Sequence, residues 1–109
     1  MLKKNYEFKY VFLKGKFYRS NHIDAYIIKN SLNYNKLGLA ISKKIGKSVK
    51  RNKIKRIIRE VYRLNESNIK KGYTFIFLWN KNYTPEDANY EIIKKDFESI
   101  LNRAEGFVK

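Results

Sequence analysis

The fold of this chain is decided by residues 43–63, which have the sequence KKIGKSVKRNKIKRIIREVYR. Between Ile41 and Glu60 there are nine Lys or Arg and no acid, a composition that is also typical of disordered basic segments. Apolar residues nevertheless recur here at spacings of three and four, as on one face of an amphipathic helix. They are Ile54, Ile57, Ile58 and Val61, with Leu64 at the edge of the same face. The pattern therefore predicts a helix over residues 48–65.

The ends of this helix also have sequence signals. The hydroxyl of Ser48 can accept a hydrogen bond from an early backbone N–H and so cap the first turn. Gly46 lets the chain turn just before the helix, and Gly72 can terminate the turns that follow the helix. At ~1.5 Å per residue the helix would be roughly 27 Å long.

The opposite side of the predicted helix is cationic. Its central stripe consists of Asn52, Arg56, Arg59 and Arg63, with Lys53 and Lys55 on its two sides. An isolated helix of this length is marginal in water, so the isoleucines must be buried and the stripe must face outward. Guanidinium groups match the geometry of phosphate. The alternative is an ordinary solvated face, but such faces mix Glu with Lys, and here only Glu60 does so. The self-repulsion of so many cations favours a phosphate-binding surface.

Composition and charge distribution limit the possible functions. The 109 residues, 43% of them apolar, predict a single domain. The absence of Cys excludes a disulfide framework. The sequence has neither an 18-residue apolar run nor a signal peptide, so we expect a cytoplasmic protein. The net charge is +15, and residues 1–65 contain 18 of the 25 Lys and Arg but only three of the ten acids. This segregation indicates a polyanionic partner, nucleic acid before anionic membrane.

The rest of the chain predicts a mixed α and β domain. Helices are expected over 5–14, with Asn5 as N-cap and Gly15 as terminator, and from Thr84-Pro85 onward; strands are expected over 16–19, 22–29, 36–42 and 73–79. The buried stripe of the last helix is predicted as Ile93, Phe97, Ile100, Leu101 and Ala104. Residues 106–109 are expected to fray. Strands 36–42 and 73–79 flank the basic helix as a βαβ unit and should be parallel, with a right-handed crossover by the general rule.

Aromatic residues give a second functional signal. On strand 22–29, Tyr26 shares a face with His22 and Asp24, which is ordinary for a ring in an open groove, where it could stack on bases. On the first helix, spacing alone favours core positions for Phe8 and Phe12. On the predicted strand 36–42, Gly38, Ala40 and Ser42 share one face, and they are small enough for another element to approach closely.

The residues predict no catalytic site within the polypeptide. His22 and Asp24 could form a general base pair only if both reached a substrate, and a lone histidine is more often merely polar. The acids show no clustering for two metal ions, the chain has no phosphate-binding Gly-rich loop, and zinc-ligand spacing is absent. We expect no nuclease activity from the protein alone.

The sequence resembles the bacterial ribonuclease P protein subunit, from about residue 2 to residue 103. The likeness is strongest in GLAISKKIGKSVKRNKIKRIIREVYR, residues 38–63, which resembles the family's S-x-K-x-G strand end followed by an R-N-R-x-K-R-x-x-R helix. The matching positions are Ser42, Lys44, Gly46, Arg51, Asn52, Lys55, Arg56 and Arg59. Lys53 stands where the family usually has Arg, which keeps the charge but loses a bidentate donor. After strand 73–79 the family often has a basic residue where this chain has Leu78-Trp79.

The resemblance implies a fold and a function. The fold would be α+β: one two-layer αβββαβα domain with a mixed four-stranded sheet, like the second domain of ribosomal protein S5, and with a left-handed crossover. The function would be that of the protein subunit of an endoribonuclease whose catalytic RNA removes the 5′ leader of precursor tRNA by Mg²⁺-dependent hydrolysis. Mg²⁺ would be bound mainly by the RNA and the substrate, and one protein would serve each RNA.

The resemblance also implies binding residues. Phe8, Phe12 and Tyr26 would form a leader-binding cleft between the first helix and the sheet. The expected contacts to the catalytic RNA are Lys43, Lys44, Lys47, Lys50, Arg51, Asn52, Lys53, Lys55, Arg56, Arg59 and Arg63. Composition fits a ribosomal or chaperone-like RNA-binding module without an enzyme partner equally well. A duplex-DNA binder and a peripheral membrane helix are weaker alternatives.

Overall fold

The protein, analysed as a computed structural model that describes residues 1–108, has the predicted element order αβββαβα. Its helices are α1 (Asn5–Lys14), α2 (Ser48–Asn65) and α3 (Tyr90–Arg103). Its strands are β1 (Lys16–Arg19), β2 (Ile23–Lys29), β3 (Lys36–Leu39) and β4 (Tyr73–Trp79). The bounds predicted for α1, α2, β1 and β4 are confirmed. No helix among residues 1–108 combines the length and apolarity needed to cross a bilayer.

The four strands form one mixed sheet in the order β1-β2-β4-β3. The pairs β1–β2 and β2–β4 are antiparallel, whereas β3 and β4 are parallel, as the βαβ prediction required. As a central strand, β4 is covered on both faces, which explains its nearly continuous apolar sequence. The handedness of the crossover stays a prediction.

The two faces of the sheet support separate apolar clusters. Phe75 and Phe77 point toward α2 and α3, where the main core lies. Ile76, between them, points toward α1 and packs with Leu2 and Val11 in a smaller cluster. Because side chains alternate along a strand, β4 separates a thick apolar layer from a thinner one, and the thinner layer leaves room for a cleft.

Helix α2 buries its isoleucine face as predicted, although the face is rotated. Ile54 and Ile58 have no exposed surface. Tyr62, which the sequence pattern did not assign to the core, is also buried, whereas Leu64 is 52% exposed. The helix turns about 100° per residue, so a face centred toward Tyr62 carries Leu64 away from the core. The prediction for Leu64 is therefore wrong.

The predicted N-caps of the first two helices are wrong. Lys4 and Lys47 occupy these positions, and neither side chain makes a capping hydrogen bond. The predicted caps, Asn5 and Ser48, are instead the first helical residues. Gly72, which we expected to terminate the turns after α2, comes well after the helix end and turns the chain into β4 with a φ of 94°.

The last helix starts later than predicted. The Thr84-Pro85 signal produces only a 3₁₀ turn over Pro85–Asp87, because the next residue, Ala88, is extended and buried. Asn89 then caps α3, and its side-chain oxygen accepts a hydrogen bond from the Ile92 N–H at 3.0 Å. The predicted stripe is confirmed: Ile93, Phe97, Ile100 and Leu101 are fully buried, and Ala104 packs against them.

The segment after α3, where the sequence predicts fraying, makes backbone hydrogen bonds and packing contacts at residues 106–108. The Gly106 carbonyl accepts a hydrogen bond from the Lys70 N–H, and the Val108 N–H donates to the Asn68 carbonyl, both at 2.7 Å. Phe107 packs against the main core. Lys109, the remaining residue of the predicted tail, lies outside the described residues.

Two strand ends also differ from the predictions. Strand β3 ends at Leu39 instead of residue 42, because the chain enters a 3₁₀ turn over Lys43–Ile45 soon afterwards. His22 lies just before β2 and not within it. Both differences occur where the strand leaves the sheet, which is where sequence patterns locate boundaries least accurately.

Candidate nucleic-acid interface

The cationic stripe of α2 faces outward, as its pattern predicted. Asn52, Arg56, Arg59 and Arg63 are all exposed, on the side of the helix opposite the buried isoleucines. Around them, the predicted lysines Lys43, Lys44, Lys47, Lys50 and Lys53 are exposed as well. We refer to these nine residues as the basic surface. Six of the nine residues lie on α2, which is anchored to the core by the buried side chains of Ile54 and Ile58.

The lysines before α2 are held by a short local structure. The Ser42 hydroxyl accepts a hydrogen bond from the Lys44 N–H at 3.2 Å and so begins the 3₁₀ turn over Lys43–Ile45. Thus the Ser of the predicted S-x-K-x-G motif has a defined role, which is to order the turn that presents Lys43 and Lys44. These two cations extend the basic surface beyond the helix start.

Two members of the basic surface are paired within the chain. Near the start of α2, Lys50 donates to the Glu86 carboxylate, and this hydrogen bond lowers the pKa of Glu86. In the last turns, Arg63 Nη2 lies 2.6 Å from Glu60 Oε1, and this hydrogen bond raises the pKa of Arg63. Arg56 and Arg59 between them have no acidic partner within residues 1–108. The uncompensated positive charge is therefore greatest at the middle of the helix.

Two of the predicted RNA-binding residues lie elsewhere. Arg51 and Lys55 are half-buried, on the flank of α2 that also carries Tyr62. The Nε of Arg51 is buried without a hydrogen-bond partner, and such an unpaired donor is costly. A phosphate or other anion that reached this flank could satisfy it. The expected set of contacts is thus spread over two sides of the helix.

The predicted aromatic residues meet on the other face of the sheet, beside α1. The ring centroids of Phe8 and Phe12 are 6.3 Å apart, and Phe12 meets Tyr26 edge-on at 5.0 Å. Phe12 is 39% exposed, whereas Phe8 and Tyr26 are half-buried. The core position that spacing favoured is therefore wrong for Phe12. These rings line an open wall that we call the aromatic cleft.

A fourth ring, which the sequence reasoning missed, completes the aromatic cleft. Phe17 of β1 pairs in register with Tyr26 of β2, and their ring centroids are 4.9 Å apart. It is 41% exposed, and the guanidinium carbon of Arg19 lies 5.7 Å from its centroid. The alternation in the segment KFYR was a usable signal, because cross-strand neighbours share a face. A cation thus stands at the end of a row of four rings.

The small residue in β3 explains how α1 can lie so close to the sheet. A Cβ built on Gly38 would be 2.9 Å from Leu2 Cδ1 and 3.0 Å from Phe8 Cε1. Such distances are too short for a larger side chain to fit unless the side chains of Leu2 and Phe8 shift. The expected close approach is therefore found, and its consequence is that Phe8 is pressed against the floor of the aromatic cleft.

His22 does not form the catalytic pair that its position allowed. Its Nδ1 lies 3.4 Å from the Asp96 carboxylate of α3 and lacks hydrogen-bond geometry, while its ring packs 4.2 Å from that of Tyr83. Asp24 instead accepts a hydrogen bond from the Ser20 N–H, and burial raises its pKa. His22 and Asp96 thus connect α3 to the start of β2. Among residues 1–108, no three His, Asp or Glu side chains gather where they could hold a metal ion.

Comparison with known proteins identifies the family of this chain. Residues 1–105 match the model of the Ribonuclease P family. The ribonuclease P protein component of Natranaerobius thermophilus is 39% identical over 103 residues, which cover 94% of this chain and 88% of the relative. That of Clostridium botulinum strain Langeland is 42% identical over 104 residues, which cover 94% and 92%. The chain belongs to the ribonuclease P protein family. It is accordingly a protein component of ribonuclease P, an endoribonuclease of tRNA processing.

Solved structures of ribonuclease P proteins have the same fold. The Staphylococcus aureus protein superposes with a TM-score of 0.86 at 30% identity, covering 98% of this chain and 96% of that one. The Thermotoga maritima protein also gives 0.86, at 29% identity and with 96% and 97% covered. The α+β fold expected from the resemblance is therefore confirmed. At the end of β4, Trp79 is buried and donates its Nε1–H to the Tyr83 carbonyl.

Proposed function

We propose that this ribonuclease P protein binds the enzyme's catalytic RNA through the basic surface and holds the 5′ leader of precursor tRNA in the aromatic cleft. The RNA supplies the catalytic groups, and the polypeptide contributes binding. The observation that carries the proposal is the separation of two chemistries: unpaired cations on a rigid helix, and exposed aromatic rings on the other side of the sheet. Each suits a different part of an RNA complex.

The basic surface suits folded RNA. A helix that presents its cations along a straight line can follow a phosphate backbone, and binding then gains from the release of counterions. Arg56 and Arg59 are the strongest candidates for such contacts, because no acid of residues 1–108 forms an ion pair with their guanidinium groups. Arginine also fits phosphate with two parallel hydrogen bonds, which gives orientation as well as attraction.

The aromatic cleft suits an unpaired strand. Every base has a π face, so stacking on Phe12, Phe17 and Tyr26 would tolerate a leader of any sequence. Single-stranded RNA is commonly bound in this way, with its bases splayed onto aromatic side chains. Arg19, at the edge of Phe17, could contact a phosphate of the same strand. A processing enzyme that must accept many precursors benefits from such tolerance.

In this proposal the protein also reduces the requirement for Mg²⁺. The metal is bound by the RNA and the substrate, and the protein's cations lower the repulsion between these two polyanions. Both the stoichiometry of one protein per RNA and a cytoplasmic location belong to the proposal. A protein with a net charge of +15 would serve this role mainly through residues 1–65, where the positive excess lies.

The experiment is a cleavage assay with the catalytic RNA and precursor tRNA at low Mg²⁺. Adding the wild-type protein should restore cleavage of the leader. Phe12→Ala should weaken binding of the precursor but not of mature tRNA, because only the precursor has a leader. Leu13→Ala is the matched control, since Leu13 is a 78% exposed apolar residue on the same helix. Binding to RNA without any stimulation of cleavage would instead favour a ribosomal or chaperone-like module.

A further inference from the structure

A second groove runs along the other flank of α1. It has a volume of about 780 Å³ and lies between α1 and the loop that follows β2. Its apolar floor includes Leu2, Val11 and Ile28, and Tyr6 and Tyr10 stand on its rim. This tyrosine groove is separate from the aromatic cleft, because none of the four cleft rings lines it.

The sequence of α1 places aromatic pairs on both of its flanks. Tyr6 and Tyr10 are four residues apart, as are Phe8 and Phe12, so each pair forms its own ridge. A shift of two residues rotates the second ridge by about 200° relative to the first. Val11 lies between them and is buried against the sheet. Helix α1 therefore packs on the sheet with aromatic side chains on both of its flanks.

The two tyrosine rings lie outside the apolar core of residues 1–108. Tyr6 is 70% exposed and Tyr10 is 58% exposed, and neither belongs to either apolar cluster. A single exposed ring is ordinary. Two adjacent rings above a concave apolar floor form a contiguous patch of the kind that marks a binding groove.

The charged residues around the tyrosine groove favour an anionic ligand. Lys29 and Lys36 line it, and its one acidic lining residue, Glu7, is bound to Lys36 with an Nζ to Oε2 distance of 3.3 Å. Residues 1–36 contain eight Lys or Arg and only two acids. A second copy of this strongly cationic chain would be repelled, whereas an anionic strand with stackable groups would be attracted.

We infer that the tyrosine groove binds the 5′-distal part of the precursor's leader, beyond the nucleotides held in the aromatic cleft. This inference rests on the proposed function. The helix between the two sites is only about 10 Å across, so a short length of leader could connect them. A leader already held in the cleft has a high effective concentration at the groove, which favours it over any free RNA.

The test compares precursors with leaders of about 4 and about 15 nucleotides, a range that spans typical single-stranded sites. Affinity is measured with the complete protein–RNA enzyme. The wild type should bind the long leader more tightly than the short one. The double variant Tyr6→Ala/Tyr10→Ala should bind the long leader roughly tenfold more weakly than the wild type and the short leader equally well, because aromatic stacking contributes on that order per base.

Two control variants make the result specific. The double variant Tyr6→Phe/Tyr10→Phe keeps both rings and should behave as the wild type. Leu13→Ala removes an exposed apolar side chain of α1 outside the groove and should have no effect with either leader. Because both tyrosines are largely exposed, thermal unfolding of the alanine variant should match that of the wild type, so a loss of affinity would not reflect unfolding.

The possible outcomes separate this inference from the proposed function. If Phe12→Ala weakens binding of the short leader while Tyr6→Ala/Tyr10→Ala changes neither affinity, the proposed function stands and the inference is overturned. If neither variant affects binding of any leader, both fail. Self-association of the wild type that the tyrosine variant abolishes, measured by sedimentation, would assign the groove to a second copy and also overturn the inference.

Discussion

Replacing both Arg56 and Arg59 with Ala is the most direct test of the basic surface. Both side chains are exposed, and neither has an acidic partner within residues 1–108. Their removal therefore leaves no carboxylate uncompensated and opens no cavity, since Ile54 and Ile58 on the opposite face anchor the helix. We expect the double variant to fold as the wild type does and to differ only in its binding of RNA.

The size of the effect is set by counterion release. Each phosphate contact contributes about 0.9 to the slope of log K against log salt on a duplex, so two contacts contribute about 1.8. Between about 50 and 200 mM salt, the wild type should lose roughly tenfold more affinity than the variant. The assay is a titration of the catalytic RNA with protein at four salt concentrations, with fluorescence anisotropy as the readout.

Arg63→Ala is the matched control, because it removes the same side chain from the same stripe. Its guanidinium already donates to Glu60, with a distance of 2.6 Å from Nη2 to Oε1. If that pair persists in the complex, the slope should change by less than about one unit. An unchanged slope for the Arg56 and Arg59 double variant, with circular dichroism showing an intact fold, would refute the assignment of the basic surface.

Three further predictions concern acids. Asp96→Ala should lower the free energy of unfolding by about 2–4 kcal/mol in urea titrations, because it leaves two backbone N–H donors at the start of β2 unpaired; the exposed Glu91→Ala should have little effect. Burial raises the pKa of Asp24 from 3.8, so the free energy of unfolding should fall as the pH rises from that value through the folded-state pKa; Asp24→Asn should abolish this fall in thermal melts. Glu86→Gln should free Lys50 and tighten RNA binding in the same anisotropy titration; weaker binding would contradict this.

The predictions from sequence were most accurate where a residue pattern is compatible with only one structure. A run of cations with isoleucines at helical spacing can be stable only as a helix packed on a core, and α2 has the predicted bounds of residues 48–65. Strand 73–79 was equally constrained, because a segment that is apolar on both faces must be covered on both. In each case burial of the apolar side chains determines which way the other side chains of the helix or strand point.

The sequence was less informative about contacts between distant segments. Nothing in the local pattern around His22 indicates that its backbone N–H would donate to Asp96, 74 residues later. The pairing of Lys50 with Glu86 likewise depends on where the 3₁₀ turn before α3 comes to lie. The N-caps of α1 and α2 and the start of α3 were mispredicted for a related reason, because several adjacent polar residues could serve as caps and packing decided between them.

Phe17 is an intermediate case, because its place in the aromatic cleft can be predicted only when the pairing of its strand is known. Its own strand is only four residues long, and one predicted strand cannot reveal which rings lie beside it. Once β1 and β2 are paired antiparallel, however, register alone brings Phe17 next to Tyr26. Sheet pairing therefore converts two ordinary aromatic residues into a continuous wall.

The unequal cover on the two faces of the sheet links the fold to the proposed function. Helices α2 and α3 cover one face with the larger of the two apolar clusters. Helix α1 alone covers the other face, so rings on both of its flanks stay exposed. Since most of the buried apolar side chains lie in the thick layer, the thin layer can keep open grooves for a flexible ligand. The buried isoleucines of α2 belong to the thick layer, which is why the basic surface is rigid while the aromatic cleft stays accessible.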